Sequence, residues 1–317
     1  MATGSKERLR ISSIGTYLPE RRLSNSELVE GLGFSEEFLQ EKLGVLRRSA
    51  KEPGETNSDL CAKAFEDLAA RVDFKSDDIQ LLVVVTQHPD LKVPYAAALV
   101  HNRLRLAKHC MTFDISQACA GYCHAVTTVA GLMNEARFDH GVLITCDPYS
   151  DKVDPTDKDT ALLFGDAACA TYFTRTGNGY ELIDSSFGTL PDSNECLMFH
   201  DVLKMDGQAV FRYATRNAPP SITRLLGENQ LSVDDVDLFL LHQGSKFLVE
   251  YIARKMKIPE GKAPFEAADY GNTVSSSIPL MLQKHVDSAE LDTIVLSAFG
   301  VGFSWGSNIL KLIKAER

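Results

Sequence analysis

Cys119 is the residue of this sequence best placed to act as a nucleophile. It follows the apolar run Met111–Ile115 and precedes a helix-like stretch, so it falls where a predicted strand gives way to a predicted helix. A thiol at a helix N-terminus faces the positive end of the helix dipole, which favours the thiolate form that attacks carbonyl groups. We therefore expect an acyl-transfer site at Cys119.

Two distant segments carry the polar groups that such a cysteine needs. His242 follows an apolar run, and Asn272 stands in a Tyr-Gly-Asn-Thr turn 30 residues later. A neutral imidazole and a side-chain amide can each donate a hydrogen bond to a carbonyl oxygen beside the sulfur. A lone cysteine or histidine is more often a core residue. Catalysis is therefore predicted from the combination of Cys119, His242 and Asn272, and not from any one of them.

The composition is typical of a globular protein that folds without disulfides or a metal. Of 317 residues, 44% are hydrophobic and 24% are charged. The formal net charge of -10 argues against generic binding to nucleic acid or to an anionic membrane. Seven scattered cysteines predict neither a disulfide framework nor a zinc site. Residues 1–14 lack an apolar stretch of signal-peptide length, so a reducing cytoplasmic setting is expected.

One stretch has the length of a membrane span. Residues 115–134 contain no charged side chain over 20 positions. They include Gln117, His124, Thr127 and Thr128, whereas membrane spans are mostly strongly apolar. We therefore predict a helix buried inside the protein.

The chain repeats one pattern, an acidic turn that leads into an apolar run. The two copies begin at Asp77 and Asp234, an offset of 157 residues. Their apolar runs do not alternate, which is typical of strands covered by helices on both faces. Helical patterns precede them, at Asn57–Arg71 and at residues 220–228. The repeat predicts two related α/β halves, residues 1–174 and 175–317.

The repeat also places the site residues in register. Residues 113–115, which enter the turn at Cys119, have their counterpart at residues 265–267, which enter the turn before Asn272 at an offset of 152. One half then carries the nucleophile, and the other carries His242 and Asn272. A cleft between the halves is the expected position of the site.

Taken in order, these segments resemble the β-ketoacyl-acyl-carrier-protein synthase III family of thiolase-like condensing enzymes, over essentially the whole chain. Any one of the motifs would be weak, but their order is specific. The matching segments are residues 114–121, 154–160, 163–168, 205–211, 242–243, 270–273 and 299–306.

The resemblance implies a layered αβαβα fold, a homodimer and a mechanism. Cys119 would accept an acyl group from a primer thioester, while the backbone amides of Cys119 and Val301 hold the oxyanion. His242 and Asn272 would hydrogen-bond the thioester oxygen of a malonyl extender as it loses carbon dioxide. The substrates would be thioesters of coenzyme A (acyl-CoA) or of acyl carrier protein. No metal and no further cofactor are implied.

Asn272 narrows the chemistry, because an amide can donate a hydrogen bond whereas a carboxylate only accepts one. Members of the fold that make esters resemble a Cys, His and Asp set, so Asn272 favours condensation. Two alternatives stay open. The chain could be an acyltransferase or thioesterase that uses Cys119 and His242, or a non-catalytic partner of another ketosynthase. The intact set of three argues against the partner, since a scaffold needs none of them.

Several positions depart from the family pattern. Phe38 stands where a tryptophan usually stacks on adenine, and Lys42 and Lys158 stand where arginines are common. A smaller ring and monodentate amines hold a nucleotide less well. The primer is therefore expected to bind weakly as a coenzyme A ester, or to arrive on a carrier protein.

Two further departures bear on the acyl chain. Val93 replaces a phenylalanine that closes the acyl pocket of the neighbouring subunit, so a primer longer than acetyl is expected. Val301 replaces a glycine, which is expected to restrict the oxyanion turn. Together these departures indicate an enzyme of secondary metabolism.

Basic residues on two predicted helices form a candidate docking patch for an acidic carrier protein, although a solvated helix face would look the same. They are Lys246, Arg254, Lys255, Lys257, Arg212 and Arg216.

Overall fold

The computed structural model describes residues 8–315. Residues 1–7 and 316–317 lie outside the described residues. Residues 1–7 are half of the segment 1–14, for which no signal peptide is expected. The strands are β1 Arg10–Tyr17, β2 Arg22–Ser24, β3 Arg47–Ser49, β4 Leu81–Val85, β5 Met111–Ile115, β6 His140–Cys146, β7 Ala168–Thr174, β8 Gly179–Thr189, β9 Leu197–Phe199, β10 Leu203–Met205, β11 Leu238–Leu241, β12 Thr293–Gly300 and β13 Ser304–Ile313. The helices are α1 Asn57–Arg71, α2 Ala96–Leu104, α3 Gly121–Ala136, α4 Gly207–Glu228, α5 Lys246–Met256 and α6 Ser277–Ser288.

Nine strands form one mixed sheet in the order β11-β12-β13-β8-β1-β7-β6-β4-β5. At one end β4 pairs in parallel with β5 and β6, and at the other β11 pairs in parallel with β12. The strands between them are antiparallel, and β1 meets β8 only at Ile11 and Tyr180. That single pairing joins an N-terminal sheet region to a C-terminal one.

Three apolar cores stack the helices and the two sheet regions into layers. Helices α1 and α2 pack on one face of β4, β6 and β7. Helices α3 and α6 fill the space between the two sheet regions, against the opposite face of β4 and one face of β11 and β12. Helices α4 and α5 cover the remaining face of β11 and β12. This is the αβαβα order that the sequence predicts.

The local sequence accounts for the central elements. All five residues of β4 are buried, as a non-alternating apolar run requires in a strand covered on both faces. Helix α1 begins with a capping box, in which Thr56 and Asp59 satisfy each other's backbone N–H groups. Residues 115–134 divide between the end of β5 and α3, and no helix among the described residues is long and apolar enough to cross a membrane.

The repeat is less complete in the structure than in the sequence pattern. Strands β4 and β11 lie at the predicted copies, but residues 265–267 form no strand and lead into a 3-10 turn. Pro264 lies just before them and has no N–H for a sheet ladder. β11 therefore stays at the edge of the sheet. The predicted boundary falls on Thr174, the last residue of β7, and the division into two duplicated domains remains a prediction.

Candidate active site

A cavity of about 510 Å³ brings together the three residues singled out from the sequence. Cys119, His242 and Asn272 all line it. Cys119 lies in the loop after β5. His242 directly follows β11, and Asn272 lies in the loop before α6. The structure therefore brings these distant segments together, as the sequence led us to expect.

Cys119 lies in a tight turn between β5 and α3. Ala118–Ala120 form one turn of 3-10 helix before α3, and Ala118 has a left-handed φ of 42°. The thiol is buried, with 5% of the residue exposed. Burial raises the pKa of the Cys119 thiol, and the nearby carboxylate of Asp147 raises that pKa further. Both effects oppose the expected influence of the helix dipole on the pKa of this thiol.

Gly300 forms the wall against the sulfur. A Cβ built on Gly300 would lie 2.7 Å from the Cys119 Cβ and 3.2 Å from its Sγ, so only glycine fits. The turn that follows contains Val301, the predicted oxyanion residue. The left-handed φ of this turn, 125°, falls on Gly302. Val301 itself has no positive φ, so valine is compatible with the turn.

His242 is buried at the end of β11, with 3% of the residue exposed. Its Nδ1 lies 2.8 Å from Ser277 Oγ, and its ring meets the Phe299 ring edge to face at 5.6 Å. Burial lowers the pKa of His242 to about 4. The ring is therefore neutral at physiological pH and carries one N–H.

The histidine pKa predicts how stability depends on pH. The pKa of His242 falls from 6.5 to about 4 on folding, so between those values the unfolded chain binds a proton that the folded chain does not. We expect the free energy of unfolding to fall as pH drops through this window, by up to roughly 3 kcal/mol, and to be insensitive to this group above it. Burial and Lys152 lower the pKa of His88 as well, which adds in the same direction. Urea unfolding at a series of pH values should show a shallower fall for His242→Asn, and an unchanged slope would contradict the assignment.

Asn272 is held by its backbone and by its own oxygen. Its N–H donates to Leu163 O at 2.8 Å, and its C=O accepts from the Gly165 N–H at 2.9 Å. The Val274 N–H donates to Asn272 Oδ1 at 2.9 Å. The NH₂ group is the end of the amide left to serve the cavity that Asn272 lines.

The three residues expected to meet coenzyme A also line this cavity. Phe38 and Lys42 come from the short helix Phe38–Leu43, and Lys158 comes from the loop before β7. The Phe38 ring stacks on Phe34 with centroids 4.3 Å apart, and Lys42 Nζ lies 4.6 Å above the Phe247 ring. The mouth is thus aromatic with exposed amines at its edge.

Most of the aromatic residues that line the cavity mouth were not predicted from the sequence. Phe34, Phe211 and Phe247 line the cavity; Phe211 lies in the matched segment 205–211, but none of the three was predicted as a site residue. Phe211 and Phe247 stack with centroids 5.4 Å apart. Apart from that segment, their only sequence signal is an apolar residue beside charged ones on two helices, which also describes an ordinary buried face.

Val93 lies away from the cavity. It is 85% exposed and lies in the loop before α2. Leu91, Tyr95 and Met111 are also exposed large hydrophobic residues. A gating role would therefore require a neighbouring subunit.

Five of the six predicted docking residues lie on α4 and α5, two helices that pack together, and Lys257 directly follows α5. Two of them are engaged within the chain, since Lys246 Nζ donates to Gln40 O at 3.3 Å and Lys255 Nζ donates to Thr215 O at 2.6 Å. Arg212 lies 5.3 Å from the ring of its neighbour Tyr213. The remaining three are exposed, namely Arg216, Arg254 and Lys257. Among residues 8–315, no group of three or more His, Cys, Asp or Glu side chains is placed to hold a metal ion.

Comparison with known proteins agrees with this geometry. The profile of 3-oxoacyl-[acyl-carrier-protein] synthase III matches residues 113–191, and its C-terminal profile matches residues 226–312. The β-ketoacyl-[acyl-carrier-protein] synthase III of Streptococcus sanguinis is 31% identical over 322 residues, which cover 96% of this chain and 99% of that protein.

Solved structures agree. A 3-oxoacyl-(acyl-carrier-protein) synthase III superposes with a TM-score of 0.90 at 29% identity, covering 96% of this chain and 99% of that one. The β-ketoacyl-[acyl-carrier-protein] synthase III of Thermus thermophilus superposes with a TM-score of 0.89 at 27% identity, covering 96% and 100%. The predicted thiolase-like fold is confirmed. The chain belongs to the β-ketoacyl-acyl-carrier-protein synthase III family, and it is a condensing enzyme of the acyltransferase class.

Proposed function

We propose that the chain loads an acyl primer on Cys119 and condenses it with a malonyl thioester. The observation that carries this proposal is the single cavity that holds Cys119, His242, Asn272 and Gly300. In the first step the Cys119 sulfur bonds to the primer carbonyl carbon, and the primer's own thiol leaves with the proton. The backbone amides of Cys119 and Val301 are the proposed donors to the oxyanion.

In the second step His242 and Asn272 act as hydrogen-bond donors. The proposal assigns the Ser277 hydroxyl, 2.8 Å away, as the donor to His242 Nδ1, which places the proton of the neutral ring on Nε2. The Asn272 amide donates through Nδ2. Both would bind the malonyl thioester oxygen as carbon dioxide leaves, and would stabilise the resulting enolate. The enolate carbon then attacks the acyl carbon, the bond to the Cys119 sulfur breaks, and the sulfur leaves as a thiolate that takes up a proton from water.

The primer is proposed to be longer than acetyl. Val93 offers a small side chain where a phenylalanine would close the pocket of a neighbouring subunit. This role depends on a homodimer, for which β5 is available as an edge strand beside the exposed Leu91, Tyr95 and Met111. Light scattering should give twice the chain mass of 34.9 kDa.

Acyl carrier protein is the proposed partner, with acyl-CoA as a second donor. The exposed cations of α4 and α5 lie on the helices that carry the cavity residues Phe211 and Phe247, where an acidic carrier would bring its thioester to the mouth. Phe38, Lys42 and Lys158 would meet the coenzyme A end less firmly than indole and guanidinium groups do. These departures support a role in secondary metabolism.

Intact-mass measurement tests the proposal. The protein is incubated with acetyl-, butyryl- and octanoyl-coenzyme A, and with the same acyl groups on carrier protein, with and without malonyl-carrier protein. We expect an adduct on Cys119, strongest for the longer chains, that discharges only when the malonyl substrate is added. Discharge by water or an alcohol would favour a thioesterase or acyltransferase, and the absence of any adduct would favour a non-catalytic partner.

A further inference from the structure

Asp147 is a fully buried carboxylate beside the site, and the chemistry proposed above does not use it. It directly follows β6, in the N-terminal sheet region. Asp147 Oδ1 accepts from the Gln87 N–H at 2.7 Å, and Oδ2 accepts from the Ser275 hydroxyl at 2.5 Å. Asp147 therefore ties the end of β4 to the segment that carries Asn272.

The turn at residues 272–276 needs such an anchor, because its backbone is strained. Val274 has a left-handed φ of 55°, which is an outlier for a β-branched residue. A strained backbone of this kind persists only where its surroundings hold it in place. The strained residue is also the one whose N–H orients Asn272, by donating to Oδ1 at 2.9 Å. Ser275, the next residue, is bound to Asp147.

We propose that Asp147 is a positioning residue for the malonyl half-reaction: it holds the strained turn at Val274, which aims the Asn272 amide into the cavity. This inference rests on the proposed function of Asn272. The charge-assisted hydrogen bond from the Ser275 hydroxyl couples Asp147 to the turn, since such a bond is stronger than one between neutral groups. Removing the charge leaves Val274 free to relax toward ordinary φ values and rotates its N–H away from Asn272 Oδ1.

The first test is Asp147→Asn, which keeps the size of the side chain but presents an NH₂ group to donors. We expect the release of carbon dioxide from malonyl-carrier protein to slow by about 10- to 100-fold, the scale of one lost charged hydrogen bond. Acylation of Cys119 by a primer thioester, followed by intact mass, should be unchanged or faster, because the carboxylate raises the pKa of that thiol. A general structural defect would slow both reactions.

The second test is rescue. Glycine adopts a φ of 55° without strain, so Val274→Gly should restore much of the malonyl activity when added to Asp147→Asn. Ser275→Ala removes one of the two donors and should show the same selective loss at a smaller size. Ser307→Ala is the matched control, since Ser307 is a buried serine on β13, outside the turn, and its hydroxyl donates to Ser297 Oγ at 2.9 Å.

The outcomes separate the inference from the function on which it rests. If the unsubstituted protein releases no carbon dioxide from malonyl-carrier protein, the proposed function fails and the role of Asp147 fails with it. If that protein is active, three results would each overturn the role of Asp147 alone. They are an unchanged malonyl rate in Asp147→Asn, equal losses in both reactions, and no recovery on adding Val274→Gly.

Discussion

Replacing Asn272 by aspartate should stop carbon–carbon bond formation while leaving Cys119 able to take up an acyl group. The amide donates through Nδ2, whereas a carboxylate can only accept and would place a negative charge beside the forming enolate. Loss of one such donor costs about 10²- to 10³-fold in rate, and the added charge increases the loss. The turn itself should survive, because a carboxylate oxygen can still accept from the Val274 N–H.

Both half-reactions are measured for this variant, acylation by intact mass and malonyl decarboxylation by carbon dioxide release. Thr273→Ser is the matched control, since the buried Thr273 hydroxyl has no hydrogen-bond partner among the described residues. The control should keep both rates within a few-fold of the unsubstituted protein. Equal losses of acylation and decarboxylation in Asn272→Asp would remove the role assigned to this amide.

The sequence predicted the central elements well because their local signals agree. Helix α1 spans the predicted residues 57–71, where a capping box and an apolar stripe mark both its start and its buried face. Strands β4 and β11 were visible as non-alternating apolar runs after acidic turns. Where a local signal conflicted with the repeat, at Pro264, the predicted counterpart of β5 did not form a strand.

The chemistry of the site was only partly predictable, because it depends on contacts between distant segments. The helix N-terminus at Cys119 suggested a thiolate, yet the pKa of the thiol also reflects burial and Asp147, which lies 28 residues away in the sequence. Ser277 beside His242, and Ser275 beside Asp147, are serines that no local pattern distinguishes from other polar residues. Such pairs become visible only once the layers are assembled.

The raised pKa of Cys119 bears on how a primer must be placed for acylation. Burial limits the access of adventitious electrophiles to this sulfur, and a raised pKa lowers the fraction of thiolate, which is the reactive form. A primer that enters the cavity must therefore place its carbonyl against the sulfur and receive hydrogen bonds before the proton leaves. Close packing around the sulfur is then as important as the acidity of the thiol, and Gly300 supplies that packing.

Gly300→Ala should for this reason slow acylation of Cys119 more than malonyl decarboxylation, which is the reverse of the effect expected for Asn272→Asp. The new Cβ would lie 2.7 Å from the Cys119 Cβ, closer than unbonded carbons approach, so the thiol and the turn at Val301 must move apart. The φ of Gly300 is extended at 171°, so the effect comes from the steric clash and not from the backbone of alanine. Misplacing a reacting group by about 1 Å costs on the order of 10²-fold.

We expect acylation of Cys119 to fall by about that factor in Gly300→Ala, with malonyl decarboxylation much less affected because His242 and Asn272 lie on other segments. Gly131→Ala is the matched control: it lies on α3, the helix that follows Cys119, and a Cβ there meets nothing within 4 Å. Equal loss in both half-reactions would mean that the clash spreads to the donors, and an unchanged acylation rate would mean that Gly300 does not set the position of the sulfur. If Gly300→Ala slows mainly acylation and Asn272→Asp slows mainly decarboxylation, then one wall of the cavity serves the primer and the other serves the extender.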